Sequence, residues 1–148
     1  MTYNDYETKG RMKLKQLLQK SKKIKNYEFC QYVYERFDCM TTGVTGNIAI
    51  FEIKDRKISS DKYDTILFEK GKYDAMMDSY RNSGYTPYYV IFYTDCYYVF
   101  PVSKIKDVEN RVQEILATHD TVNYSYDDKV TKKVIMLDKE EGIKCNYE

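Results

Sequence analysis

The stretch GNIAIFEIKDR, residues 46–56, decides the fold, because it begins as an apolar strand and ends in charge. Alternate side chains of an extended strand lie on one face, so Glu52 and Lys54 point the same way. The apolar Ile48 and Ile50 share that face, which argues against full solvation of the charged pair. An acidic and a basic side chain at the end of a partly buried strand therefore suggest a functional role.

A second acid precedes this strand. Residues 27–42 are rich in Tyr, Phe, Val and Thr, which predicts one or two extended segments before a turn. If the turn is the three-residue loop 44–46, with Gly46 in the left-handed conformation that such loops favour, Asp38 faces Glu52. A four-residue loop would shift the pairing by one residue and weaken this geometry.

Two facing carboxylates repel each other unless a cation lies between them. Carboxylate oxygens suit Mg²⁺ or Mn²⁺, so Asp38 and Glu52 are candidate metal ligands. A divalent ion at this position could polarise a phosphodiester and lower the pKa of a bound water. The Lys54 ammonium could orient that water or stabilise developing charge. The alternative is an ordinary ion pair between Glu52 and Lys54 at a solvated strand end.

The rest of the chain predicts one α/β domain over residues 1–148, with a mixed sheet flanked by helices. Gly84 is expected to close the second helix, and Ser103 to cap the third. The predicted helices lie at about 4–20, 61–82 and 103–116, and the predicted strands at 27–42, 48–54, 88–93, 96–100 and 121–137.

Composition excludes few functions. The 24 basic and 23 acidic side chains give a net charge of +1, so overall charge does not require a polyanionic partner. The four cysteines have no CxxC spacing and His119 is the only histidine, so no structural zinc site is expected. No apolar run approaches the ~20 residues of a membrane helix, and we expect an intracellular, cytoplasmic protein with free thiols. The Lys-, Tyr- and Ile-rich composition would suit a compact viral genome, in which case the location is the host cytoplasm.

Charge is nevertheless concentrated in one segment. Residues 9–25, here called the basic segment, contain eight basic side chains and no acidic one. Such a segment predicts salt-sensitive binding to a nucleic-acid backbone, whereas the alternative is a solvated helix face followed by a lysine-rich loop. The basic residues are Lys9, Arg11, Lys13, Lys15, Lys20, Lys22, Lys23 and Lys25.

Asp38 followed by Glu52-Ile53-Lys54 resembles the motif of the PD-(D/E)XK nuclease superfamily, an acid on one strand and Glu-X-Lys on the next. The stretches RFDCM and IFEIKDR are similar to those of small viral or mobile-element members and of Holliday-junction-resolvase-like nucleases. The resemblance covers about residues 5–101, and it implies a restriction-endonuclease-like core in the order helix, three strands, helix, strand. Phe37 stands where the name of the motif has proline.

The resemblance also implies roles for individual residues. Asp38, Glu52 and the backbone carbonyl of Ile53 would bind Mg²⁺ or Mn²⁺, and Lys54 would assist the attacking water. Glu7 would complete the site from the first helix, although an acid in the first turn of a helix also simply favours the helix dipole.

Two further assignments have structural alternatives. Lys72 is a weaker candidate for the polar residue that some members present from the next helix, and is also expected to contact nucleic acid. The alternative is a helix-surface lysine that pairs with Glu69. The tyrosines of the later strands are expected to pack in the sheet rather than to form a base-stacking platform, because neighbouring positions point to opposite faces. They are Tyr88, Tyr89, Tyr93, Tyr97 and Tyr98.

The implied function is a magnesium-dependent nuclease that acts on DNA, in an assembly for which a homodimer is one option because many members of such folds are homodimers. The main rival is a non-catalytic nucleic-acid-binding or regulatory protein, or a viral inhibitor, that kept the fold and is indifferent to metal. A third reading treats the charged strand end as an ordinary rim of the sheet.

Overall fold

The computed structural model describes residues 3–30, 37–118 and 129–147, which form two sheets and two α-helices. Short 3-10 turns lie at 102–104, 108–111 and 139–141. The helices are α1 (Tyr3–Lys20) and α2 (Lys70–Ser83), and the strands are β1 (Ile24–Phe29), β2 (Cys39–Gly43), β3 (Ile48–Asp55), β4 (Thr65–Glu69), β5 (Thr86–Phe92), β6 (Cys96–Pro101), β7 (Val112–Thr118), β8 (Lys129–Asp138) and β9 (Ile143–Asn146).

The larger sheet is mixed, and helices flank it as predicted. Its order is β1-β2-β3-β5-β6-β9, and β3 and β5 pair in parallel with α2 in the connection between them. On one face, Leu14 and Leu18 of α1 pack with Val90 and Phe92. On the other face lie α2 and the three-stranded sheet β4-β8-β7, so the core has two layers separated by the larger sheet.

The hairpin of β2 and β3 has the register that a three-residue loop predicts. Cys39 pairs with Phe51, and Gly46 adopts a left-handed φ of 88°. The amide of Gly43 donates to the carbonyl of Asn47 at 2.8 Å, which closes the loop. The predicted turn is confirmed, and it brings the start of β2 to the end of β3.

The second helix begins later than predicted. Thr65–Glu69 is not helical but forms β4, in which Ile66 and Phe68 are buried and pair with Leu137 and Ile135 of β8. Burial of alternate residues is typical of a strand. The sequence does not show this alternation, because Leu67, which lies between the two buried residues, is also apolar. The end of the helix was predicted correctly, because Gly84 has a left-handed φ of 71° and its amide donates to the carbonyl of Tyr80.

The third predicted helix is wrong. Residues 103–116 form 3-10 turns and the first part of β7, and Asp107 in the left-handed conformation (φ 53°) interrupts any continuous helix. Leu116, which would lie on the apolar face of such a helix, is 73% exposed. β7 pairs antiparallel with β8, and residues 129–137 of β8 lie within the strands predicted at 121–137, whereas β7 and the later β9 were not predicted. The first part of the predicted strands at 121–137, and His119, lie outside the described residues.

Candidate functional site

The hairpin places two carboxyl groups against each other where β2 begins and β3 approaches its end. Asp38, which directly precedes β2, donates its amide to the carbonyl of Phe51 at 2.8 Å. Its carboxylate Oδ2 accepts a hydrogen bond from the amide of Ile53, also at 2.8 Å. The Asp38 carboxylate is therefore anchored to the strand that carries Glu52, and the two side chains interact directly.

Glu52 is an unusual carboxyl group for a protein interior. The residue is only 5% exposed, and within the described part of the chain its Oε2 atom has no hydrogen-bond partner. Burial raises the pKa of Glu52 well above its ordinary range, and the charge of Asp38 raises it further. The charges of Lys72 and Lys54 lower this pKa in turn. Ionised Glu52 thus requires nearby positive charge.

Three cationic side chains supply positive charge around the two acids. The Nζ of Lys72, in the first turn of α2, lies 3.6 Å from Oε2 of Glu52. The Nη2 of Arg11, on α1, lies 3.6 Å from Oδ1 of Asp38. Lys54 is half-buried and follows Glu52 on the same face of β3. Each helix therefore delivers one cation to one acid.

Arg11 is fixed in place by further contacts. Its Nη1 donates to the carbonyl of Cys30, and its guanidinium lies 5.9 Å from the centre of the Phe29 ring. These contacts join α1 to the end of β1 and to the start of β2. Arg11 was expected only to contact nucleic acid, and its place beside Asp38 was not predicted. The one available signal is its position four residues after Glu7, which puts both on one side of the helix.

The structure brings together most of the residues that the sequence singled out. Asp38, Glu52 and Lys54 lie at one site with Ile53 between the last two. Lys72 is partly exposed and forms an ion pair with Glu52, whereas the alternative expected it to pair with Glu69.

Glu69 and Glu7 fall outside this group. Glu69 forms its ion pair with Lys132, at 3.2 Å. Glu7 lies on α1, but its side chain is outside the described part of the structure.

The basic segment divides into two parts. Lys13 faces the protein, where its Nζ lies 2.8 Å from Oδ1 of the buried Asp55. Most of the other lysines are exposed along α1 and in the turn that follows it, as binding to a polyanion would require. The exposed lysines are Lys9, Lys15, Lys20, Lys22, Lys23 and Lys25.

The described side chains contain no cluster of three or more His, Cys, Asp or Glu residues that could hold a metal. The donor set is instead the two carboxyl groups of Asp38 and Glu52, to which the resemblance adds the carbonyl of Ile53. This set fits a hard cation, because both side chains offer oxygen ligands and one buried oxygen has no hydrogen-bond partner in the described residues.

This arrangement, a mixed sheet with one helix on one face and a second helix in the parallel crossover, is the restriction-endonuclease-like fold. The structure is similar to that of Hjc, a Holliday junction resolvase from the archaeal hyperthermophile Archaeoglobus fulgidus, with a TM-score of 0.58. The match covers 93% of this chain and 89% of the resolvase chain at 13% sequence identity, a level that shows the fold alone. No protein-family model and no curated protein matches the sequence.

No described helix is long and apolar enough to span a membrane.

Proposed function

We propose that this protein is a metal-dependent nuclease that hydrolyses phosphodiester bonds in DNA. The observation that carries the proposal is the contact between Asp38 and the buried Glu52, whose Oε2 has no hydrogen-bond partner among the described residues. A buried carboxylate is costly unless cations and hydrogen bonds satisfy it, and among the described residues this oxygen has an ion pair with Lys72 at 3.6 Å but no hydrogen bond. The likeness to a Holliday junction resolvase supports DNA as the substrate.

The chain's own residues have distinct roles in this proposal. Asp38, Glu52 and the carbonyl of Ile53 would hold Mg²⁺ or Mn²⁺, which supplies a Lewis acid and a more acidic bound water. Lys54 orients the attacking water and stabilises the charge that develops in the transition state. The amide of Ile53 holds the Asp38 carboxylate in position.

The cations from the two helices then act on the phosphate. Arg11 and Lys72 already lie beside the acids, and both are partly exposed, with 24% and 37% of their side chains accessible. A phosphodiester that approaches the site adds negative charge, which these side chains would share. The exposed lysines of the basic segment hold the rest of the DNA backbone through contacts that do not depend on sequence.

Cleavage of linear, circular, single-stranded and branched DNA with Mg²⁺, Mn²⁺ or EDTA tests the proposal. We expect the parent protein to cut with metal only, and Asp38→Asn and Lys54→Met to lose at least about 100-fold in rate, as removal of electrostatic groups does. Glu114→Gln, an exposed acid on β7, is the matched control and should cut like the parent. A folded parent protein that binds DNA and cuts none of these substrates would contradict the proposal.

The position of Arg11 and Lys72 favours a second candidate, a nucleic-acid-binding protein that keeps the fold without catalysis. In that case the two cations replace the metal rather than assist it. Calorimetric titration with Mg²⁺ separates the candidates. The nuclease gives a binding isotherm that Asp38→Asn abolishes, and the non-catalytic protein gives no metal-dependent heat and binds DNA equally well in EDTA.

A further inference from the structure

A cavity of about 540 Å³ lies on the face of the large sheet that α1 only partly covers. The turn after α1, the tip of the β2–β3 hairpin and the sheet itself line this open cavity. The amide of Val44 donates to the carbonyl of Lys23 and so joins the two loops. Its volume falls within the range of about 300–1,000 Å³ that small-molecule sites occupy. The cavity is thus large enough for a nucleotide.

The wall of the cavity is aromatic and its mouth is basic. Phe51 and Tyr88 form a stacked pair, with ring centres 5.3 Å apart and planes 22° apart, and Val99 extends the apolar surface. Lys23 is the one charged side chain among the described lining residues. The surface therefore offers a flat apolar face next to a cation.

This cavity is separate from the candidate nuclease site. Glu52 follows Phe51 directly, so their side chains point to opposite faces of β3. The cavity also reaches towards the hairpin tip at Asn47, whereas the acids lie towards the other end of the strand. A ligand here would not touch Asp38 or Glu52.

The surroundings select an anionic occupant. Lys20, Lys22 and Lys25 are exposed beside Lys23, and Ser21 and Asn47 add polar groups at the mouth. An apolar peptide could pack against the aromatic wall but would leave the lysines at the mouth without an anionic partner. A nucleotide satisfies both, because its base has a flat face and its phosphate is an anion.

We propose that the cavity binds one unpaired nucleotide of a nucleic-acid strand, with the base against Tyr88 and Phe51 and the adjacent phosphate at Lys23. The nucleotide must be unpaired because a base inside a duplex already has both faces stacked and its edge paired. This proposal rests on the proposed binding of nucleic acid by the basic segment. It gives the protein a preference for DNA that contains a single-stranded element.

The first experiment uses the absence of tryptophan from the sequence. Tyr88→Trp introduces a single tryptophan into the cavity and keeps an aromatic face there. We expect an oligothymidylate, added in EDTA, to quench the emission of this tryptophan, and a blunt duplex of equal length to leave it unchanged. Unchanged emission, while fluorescence anisotropy shows that the oligothymidylate is bound, would overturn the proposal.

The second experiment compares affinities for a labelled oligothymidylate and for the blunt duplex. Tyr88→Leu should raise the Kd for the oligothymidylate about tenfold, the usual effect of losing one stacked base, and leave the Kd for the duplex unchanged. Lys23→Ala should lower the salt dependence for the single strand by about 0.7 in log–log slope. Tyr63→Leu removes a tyrosine that is 61% exposed and lies outside the cavity, so it should change neither Kd.

Lys23→Ala keeps the test decisive if Tyr88→Leu fails to fold, because Lys23 is exposed. If sedimentation shows that Tyr88→Leu dissociates a dimer while the affinity for oligothymidylate stays constant, the cavity belongs to an interface between two copies and the proposal fails. Since all binding is measured in EDTA, absence of DNA cleavage would refute the nuclease function without deciding the nucleotide site.

Discussion

Oε2 of the buried Glu52 on β3 lies 3.6 Å from Nζ of Lys72 on α2. This contact joins the crossover helix to the strand that carries Glu52. Asp38, directly before β2, remains as an opposing negative charge. The site therefore combines an interaction that favours the ionised form of Glu52 with burial and repulsion that oppose it.

Glu52→Gln should stabilise the fold, because it removes a buried carboxyl group whose pKa is raised. In the parent, Glu52 binds its proton more tightly in the folded state than in the unfolded state. The parent therefore loses stability as the pH rises above the pKa of about 4.3 that a glutamate has in an unfolded chain. We expect the variant to melt about 3 °C or more above the parent at pH 8. The gap should shrink as the pH is lowered to about 4, where the parent carboxyl is protonated in the folded state and mostly protonated in the unfolded state.

Thermal unfolding followed by circular dichroism at the two pH values measures this effect. Glu114→Gln, which removes an exposed acid, should leave the melting temperature unchanged at both. A Glu52→Gln variant less stable than the parent at pH 8 would mean that the ion pair with Lys72 outweighs the cost of burial. DNA cleavage should be lost in the more stable variant, which is the signature of a functional acid.

Lys13→Met should destabilise the protein, whereas Lys15→Met should not. The Asp55 side chain is 4% exposed and lies 2.8 Å from the Lys13 ammonium, so removing the lysine leaves a buried carboxylate without this partner. The expected loss in unfolding free energy is about 2 kcal/mol, below the full range for buried pairs because the Lys13 side chain is 37% exposed. Lys15 is exposed on the same helix and is a matched control in urea unfolding.

Substitution of two glycines by alanine should have effects of opposite sign. Gly46 has a φ of 88°, so Gly46→Ala should cost about 1 kcal/mol through strain in the hairpin loop. Gly71 lies in the first turn of α2 with open space around the position of a Cβ, and Gly71→Ala should stabilise by about 0.5 kcal/mol. Urea denaturation midpoints measure both, and equal shifts would contradict this account of the loop.

Neutralising the four lysines after α1 should weaken DNA binding and its dependence on salt. The variant with Lys20, Lys22, Lys23 and Lys25 changed to Gln should lower the log–log salt slope on duplex DNA by up to about 3, if most of the four contact phosphates. The same change at Lys62, Lys104, Lys106 and Lys133, which are also exposed, removes equal charge elsewhere. Equal slopes for the two variants would show that only net charge matters.

The carboxylate pair was predictable from sequence because its determinants are local. Gly46 at the third loop position selects the register, and the period of two along β3 then puts Glu52 on the same side as Lys54. The elements that were wrong depend on distant partners. Thr65–Glu69 became a strand because β8 pairs with it, a contact that no periodicity within the segment reports.

The position of Arg11 beside Asp38 could not be predicted, because it too depends on distant partners. Arg11 reaches Asp38 because α1 crosses the sheet at a particular angle, and an amphipathic pattern does not contain that angle. Lys72 is predicted either as a site residue or as a surface lysine beside Glu69, and the sequence does not decide between these two partners. Sequence spacing reports neighbours on one helix, whereas this ion pair joins a helix to a strand.

The β2–β3 hairpin has a consequence for the order of folding. A hairpin of this kind can close within about 1–10 μs, whereas parallel pairing of β3 with β5 must wait for the whole crossover through α2. We therefore expect Asp38 and Glu52 to meet early in folding, before α2 brings Lys72 to Glu52. The acids would repel each other during this interval, so the nascent chain carries the electrostatic cost of its candidate site before the rest of the fold can offset it.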